Sequence, residues 1–171
     1  MRDYTPPPVN AREILGSPVH FIAFGFGTGL SPKGPGTVGT LAGLPLFWLL
    51  QSLPLATYLA LCALLFVFGC WVCGTSAKRL GVHDHGGIVF DEIVGLLASA
   101  APLLALPLDQ RQTLMGLVLA FGAFRLFDIL KPWPIRAIDA RVGGGFGIML
   151  DDLIAALMAA AVLFAVAARV R

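Results

Sequence analysis

The chain has 171 residues, of which 57% are hydrophobic and 13% are charged, and its formal net charge is +2. A soluble domain carries about 25% charged residues, so this composition excludes most water-soluble folds, a disordered chain and a nucleic-acid-binding protein with a basic surface. The three cysteines lie in one apolar run and indicate no disulfide framework. We therefore expect a single-domain, all-α integral membrane protein.

The N-terminal part of the chain is polar. Residues 1–17 contain charges and several prolines, and they lack the apolar core of a signal peptide, so we expect them to belong to the mature protein. Residues 19–30 are apolar but too short to cross a bilayer as a helix, and they contain three glycines. We predict an interfacial or re-entrant segment there.

Uncharged stretches further along predict a bundle of four to five transmembrane helices, because a helical span needs about 20 apolar residues. The clearest candidates are residues 55–77, 114–130 and 153–168. Two shorter stretches, 37–53 and 93–108, cross the membrane only if their ends reach the headgroup zone.

With five alternating spans, the loops 31–36, 78–91 and 131–147 emerge on one face of the membrane. That face holds six loop cations, whereas the opposite inter-helix loops hold only Arg111, and this bias predicts that it is cytoplasmic. The six are Lys33, Lys78, Arg79, Lys131, Arg136 and Arg141. In this count Arg169 and Arg171 fall on the other side, against the trend.

The same face collects seven of the ten acidic residues: Asp84, Asp91, Glu92, Asp128, Asp139, Asp151 and Asp152. Carboxylates beside apolar spans are costly unless they are solvated, paired or bound to a cation. Oxygen ligands without regularly spaced cysteines or histidines favour Mg²⁺ or Mn²⁺ over zinc. The clustering therefore predicts a site for a hard divalent cation.

Two acidic pairs lie near the start of apolar helices, Asp91 with Glu92 in GIVFDEIVG and Asp151 with Asp152 in GGGFGIMLDDLIAAL. The alternative to a metal site is an ordinary acidic first turn, which the helix dipole favours. The glycines at 143, 144, 145 and 147 allow close approach of the backbone to a ligand, or they form a flexible loop.

In FRLFDILKPWPI, Arg125, Asp128 and Lys131 recur every three residues and lie on neighbouring parts of one helical face. This arrangement can hold a metal and a phosphate side by side. The alternative is an arginine and a lysine that reach for the membrane interface, neutralised by the aspartate.

In SPKGPGT, the Lys33 ammonium, the backbone N–H of Gly36 and the Thr37 hydroxyl precede a helix, as in a phosphate-binding turn. A Pro/Gly turn that enters a span has the same sequence. Cys73 and Arg79 in CGTSAKR have the spacing of cysteine phosphatases, but Cys73 follows a long apolar helix, whose C-terminal dipole disfavours a thiolate.

Taken together, GFGTGLSPKGPGTVGTLAG, HDHGGIVFDEIVG and FRLFDILKPWPI followed by GGGFGIMLDDLIA resemble the phosphatidylglycerophosphatase A family of bacterial membrane enzymes. The resemblance implies magnesium-dependent removal of the terminal phosphate of phosphatidylglycerophosphate by an all-helical protein. It assigns the family's catalytic and metal-binding acids to Asp91, Glu92, Asp128, Asp151 and Asp152, its Lys-Pro to Lys131 and Pro132, and its Pro-Gly-Thr to Pro35, Gly36 and Thr37. Ala140 departs from the common Asp-Arg pair and puts in doubt any role for Asp139.

The hypothesis is a phosphatase of the bacterial inner membrane, with its site facing the cytoplasm and a phospholipid as substrate. The acids would hold Mg²⁺, while Lys33, Arg125 and Lys131 would neutralise the phosphate. Two other classes compete with it. A cation or proton transporter would need carboxylates near the middle of its spans, and a structural bundle gives no reason for the charges to share one face.

Overall fold

The computed structural model describes residues 10–170, so residues 1–9 of the polar N-terminal segment and Arg171 lie outside the described residues. The eight α-helices in this range are α1 (Ala11–Gly16), α2 (Pro18–Ala23), α3 (Pro35–Leu50), α4 (Leu55–Leu80), α5 (Phe90–Ala100), α6 (Gln110–Leu130), α7 (Ile135–Asp139) and α8 (Gly144–Val170). Residues Gly25–Leu30 and Ala101–Ala105 form 3₁₀ segments, and residues 10–170 contain no strand. The predicted all-α fold is confirmed.

Three helices are long and apolar enough to cross a membrane, namely α4, α6 and the part Gly144–Ala167 of α8. The apolar helix α3 has 16 residues, and α5 has 11. Helix α5 ends at Ala100 because Pro102 has no N–H to continue the α-helical hydrogen bonds. The chain continues as a 3₁₀ segment. A helical membrane bundle is therefore confirmed, although the predicted stretch 93–108 is not one continuous α-helix.

The short helix α5 lies at the centre of the bundle, because α3, α4, α6 and α8 all pack against it. Nine of its eleven residues are buried. Its backbone is held from the side by Tyr58, whose hydroxyl donates a hydrogen bond of 2.8 Å to the carbonyl oxygen of Leu97. The acids in the first turn of α5 consequently lie among the other helices, at one end of the bundle.

The three loops that were predicted to share a face do meet at one end of the bundle. The ring of His83 lies beside Gly143, and Gly36, at the end of the first loop, lies against Glu92, which directly follows the second loop. The segment 19–30, predicted not to cross, consists of α2 and a 3₁₀ segment with positive φ at Gly25, Phe26 and Gly27. It packs against α3 and α4 at the same end.

The glycines before Asp151 show a role that was not predicted. α8 already begins at Gly144, so Gly145 and Gly147 lie within the helix and not in a flexible loop. Gly145 lies against the backbone of α4 at Cys70 and Gly74, and a Cβ there would overlap the Cys70 carbonyl. Small residues at such a crossing let two membrane helices approach closely. Asp151 and Asp152 therefore lie two turns into α8 and not one.

The close crossing of α4 and α8 predicts that Gly145→Ala destabilises the bundle. The added methyl group meets backbone atoms that cannot rotate away, and such overpacking costs about 1–3 kcal/mol. Gly122→Ala is the matched control, because a Cβ at Gly122 has no neighbour within 4 Å. Thermal unfolding in detergent should show a lower midpoint for Gly145→Ala alone, and equal midpoints would contradict the proposed packing.

Candidate active site

Three carboxylates form the core of the charged end. Asp91 and Glu92 lie in the first turn of α5, and Asp152 of α8 faces them because the two helices pack together. One ligand atom from each lies within 4.8 Å of the others. Asp91 Oδ1, Glu92 Oε2 and Asp152 Oδ2 are buried and have no hydrogen-bond partner. Buried carboxylate oxygens without a partner are costly, and a bound cation is one arrangement that offsets this cost.

Arg125 lies beside these three residues. Its guanidinium donates a 2.5 Å hydrogen bond to Asp128 Oδ2 and is 3.7 Å from Glu92 Oε1. The spacing of three residues on α6 brings Arg125 and Asp128 together, as the sequence predicted. Asp128 also adjoins Asp152, so it lies at the edge of the core. The structure thus connects α6 to both α5 and α8 through charged groups.

Lys131 holds a separate pair of acids. Its ammonium donates to Asp151 Oδ2 at 2.6 Å and lies 3.0 Å from Asp139 Oδ1. Burial alone would lower the pKa of Lys131, but the hydrogen bonds with Asp151 and Asp139 raise it above its ordinary value. Asp151 is therefore paired with a cation, whereas Asp152 points into the core. Asp139, whose role the sequence put in doubt, is a partner of Lys131.

The N-terminus of α3 closes the site from the other side. A Cβ at Gly36 would overlap Glu92 Oε1 and lie 3.1 Å from Arg125 Nη2, so any larger residue would displace these two side chains. The N–H groups of Gly36 and Thr37 belong to the first turn, which has no intrahelical acceptors for them. Lys33 remains exposed, and within residues 10–170 it forms no ion pair.

The charges of this cluster do not balance. The five predicted metal ligands, Asp91, Glu92, Asp128, Asp151 and Asp152, lie together, but only Arg125 and Lys131 are paired with them. Counted as ionised groups, the five acids exceed the two cations by three, and the atoms of these acids that lack a hydrogen-bond partner are oxygens. This donor set fits a hard divalent cation.

The remaining sequence candidates lie outside this cluster. Cys73 is fully buried in the middle of the continuous helix α4 and Arg79 is exposed, so the phosphate loop of a cysteine phosphatase is not formed. His85 Nδ1 accepts a hydrogen bond from the N–H of Gly87. Burial lowers the pKa of His85, against the opposing effect of Asp84, so this residue orders its loop as a neutral ring.

The family model for phosphatidylglycerophosphatase A matches residues 21–167. The chain belongs to the phosphatidylglycerophosphatase A family. The resemblance stated from the three motifs is confirmed, and with it the assignment to a phosphatase. No solved structure matches the chain at a significant level.

The alignments with three curated relatives cover most of this chain and most of each relative. The phosphatidylglycerophosphatase A of Escherichia coli is 42% identical over 154 residues, which cover 90% of this chain and 86% of the relative. The enzyme of the same name from Haemophilus influenzae is 46% identical over 151 residues, 88% of this chain and 89% of the relative. A Bacteroides thetaiotaomicron protein, provisionally named a phosphatidylinositol-3-phosphatase, is 37% identical over 139 residues, 78% of this chain and 84% of the relative.

The tight fit at Gly36 predicts that Gly36→Ala impairs catalysis. The methyl group would displace Glu92 and Arg125, and a shift of about 1 Å in a site can cost about a hundredfold in rate. Gly16→Ala is the control, because a Cβ there meets nothing within 4 Å. Phosphate release should fall at least about tenfold for Gly36→Ala only, and retained activity would show that α3 does not border the site.

Proposed function

We propose that the protein hydrolyses phosphatidylglycerophosphate to phosphatidylglycerol and inorganic phosphate, with Mg²⁺ as its cofactor. One observation carries the proposal: three carboxylates, each with a buried oxygen that has no partner, lie beside an arginine and the N-terminus of a helix. This combination offers a cation site and an anion site in direct contact. A phosphomonoester bound through a divalent cation satisfies both.

Asp91, Glu92 and Asp152 would hold the Mg²⁺, since their free oxygens converge. Asp128 and Asp151 complete the predicted set of five ligands, but each also pairs with a cation of the chain, through Arg125 and Lys131. When bound, the metal would act as a Lewis acid that polarises the phosphoryl group.

The chain itself supplies a cradle for the phosphate. The guanidinium of Arg125 and the free N–H groups of Gly36 and Thr37 border the carboxylates, and all of them favour a bound anion. Lys131 is occupied by Asp151 and Asp139, so its contribution is to fix Asp151 and to add positive charge nearby. Lys33, exposed on the preceding loop, is suited to attract the headgroup from solution.

Hydrolysis breaks the bond between phosphorus and the glycerol oxygen. In the proposed reaction a carboxylate of the cluster accepts a proton from the attacking water, and the departing glycerol oxygen takes up a proton. An alternative is direct attack by an aspartate carboxylate on phosphorus, which leaves an aspartyl-phosphate that water then hydrolyses. Both routes use the same acids and the same anion cradle.

Competing functions predict other features. In a cation or proton transporter the acids would lie near mid-span, whereas Asp91 is the second residue of α5 and Asp128 lies two residues before the end of α6. Family membership also favours the phosphatase. The name of the Bacteroides relative points to phosphoinositides as a second substrate class. Phosphate release from both lipids by the purified protein distinguishes the two specificities.

The metal proposal predicts that Asp91→Asn and Asp152→Asn each remove most activity and weaken Mg²⁺ binding. Each change removes one charged ligand from a compact site, and the loss should be about a hundredfold in activity or in affinity. Asp109→Asn is the matched control, because Asp109 caps the far end of α6 and asparagine caps equally well. Calorimetric Mg²⁺ titration and phosphate release are the measurements.

Chelation gives a second arm of the same experiment. EDTA should abolish phosphate release by the unaltered protein, and added Mg²⁺ should restore it. Full activity in EDTA, or unchanged Mg²⁺ affinity in both asparagine variants, would refute the metal site.

We further propose that the protein resides in the bacterial inner membrane with this site facing the cytoplasm, as the loop cations favour. Single cysteines at positions 33, 79 and 136, in a background without native thiols, should react with an impermeant reagent only after the cytoplasmic side is opened. A cysteine at position 111 should react from outside. Reaction of 33, 79 and 136 from opposite sides would contradict the orientation and the site together.

A further inference from the structure

The bundle is open on one side of α5. α3 and α6 both pack against α5, yet they hardly touch each other. On the opposite side, α8 fills the space between α4 and α6. Between α3 and α4, Phe47 packs on Tyr58 with ring centroids 6.5 Å apart. Within residues 10–170, α5 is the element that packs extensively against both α3 and α6, and we call the gap between these two helices the α3–α6 opening.

The head of the α3–α6 opening is the candidate site itself. Arg125 projects from α6 to Gly36 at the start of α3, directly above Glu92. Val118 lies on the same face of α6 as Arg125, two turns and about 10 Å further from the charged end. It is 65% exposed. An apolar helix face thus runs from the bilayer interior straight to the anion cradle.

We propose that the lipid substrate enters sideways through the α3–α6 opening, so that its acyl chains lie along the Val118 face of α6 while its phosphate rests at Arg125. The proposal rests on the proposed function. Charge complementarity selects this occupant: a cation at the head of the groove matches a phosphate, and the uncharged face below it matches a hydrocarbon chain. The exposed side of α4 is also apolar, but Lys78 and Arg79 at its end form no ion pair with the carboxylates within the described residues, whereas Arg125 does.

The chain provides a closely matched pair of positions for the test. Val118 is 65% exposed and lies 12 residues before the end of α6, and Val67 is 66% exposed and lies 13 residues before the end of α4. Both therefore face lipid at similar depth, but only Val118 borders the α3–α6 opening. A tryptophan at either position adds the same bulk, and only Val118→Trp should obstruct a substrate chain.

The experiment measures phosphate release from long-chain phosphatidylglycerophosphate in mixed micelles. Val118→Trp should lower kcat/KM about tenfold relative to Val67→Trp, mainly through KM, because it removes room for the chain and leaves the charged groups intact. Equal values for the two variants would overturn the lateral route. If the unaltered protein releases no phosphate from this lipid, the proposed function fails instead.

A second measurement uses the unaltered protein and so does not depend on how the variants fold. The substrate carries a photoreactive diazirine within an acyl chain, and the labelled peptides are identified by mass spectrometry. Labelling should concentrate on the α6 segment around Val118 and exceed that of the α4 segment around Val67. Equal labelling of the two segments would mean that lipid covers the bundle without preference and would overturn the proposal.

Discussion

The cost of burying three carboxylates in an apolar bundle dominates this structure. Asp91, Glu92 and Asp152 are held within 4.8 Å of one another, where an uncompensated charge is far more expensive than at a surface. Arg125 can offset only part of that cost, because it is also bound to Asp128. In the proposed metal site, the free energy of cation binding would offset this cost and contribute to the stability of the bundle.

The sequence was sufficient to predict an all-helical membrane bundle and the residues of its charged cluster. Long uncharged stretches mark α4, α6 and α8, and acids are rare enough in this chain that their clustering stands out. What it could not predict was how the five carboxylates divide. Asp151 and Asp152 are adjacent, so consecutive positions on a helix direct them 100° apart, one to Lys131 and the other to Asp91. Only the packing of α5 against α8 decides which one joins the core.

Contacts between loops were equally hidden. Asp139 contacts Lys131 because Lys131, directly after the end of α6, has a left-handed backbone conformation and the chain then turns into α7, which ends at Asp139. A turn of this kind leaves no periodic pattern in the sequence. The absence of an arginine after Asp139 also argued against a role for Asp139. The role of the glycines before Asp151 was also not predictable, because a glycine cluster is typical of loops as well as of close helix crossings. Here the carbonyl of Cys70 on α4 determines which applies.

Backbone dipoles reinforce the side chains at this site. Both α3 and α5 begin at this site. The partial positive charge of their N-termini favours the carboxylates of Asp91 and Glu92 as well as a bound phosphate. α6 has its C-terminus at this site, and the negative end of its dipole favours the cation Lys131. α5 thus carries acids, and α6 is followed by a cation, that the helix dipoles stabilise. That consistency explains how α5, too short to cross a bilayer alone, can begin with two acids inside the bundle: its first turn lies where the anion, the cations and the headgroup region meet.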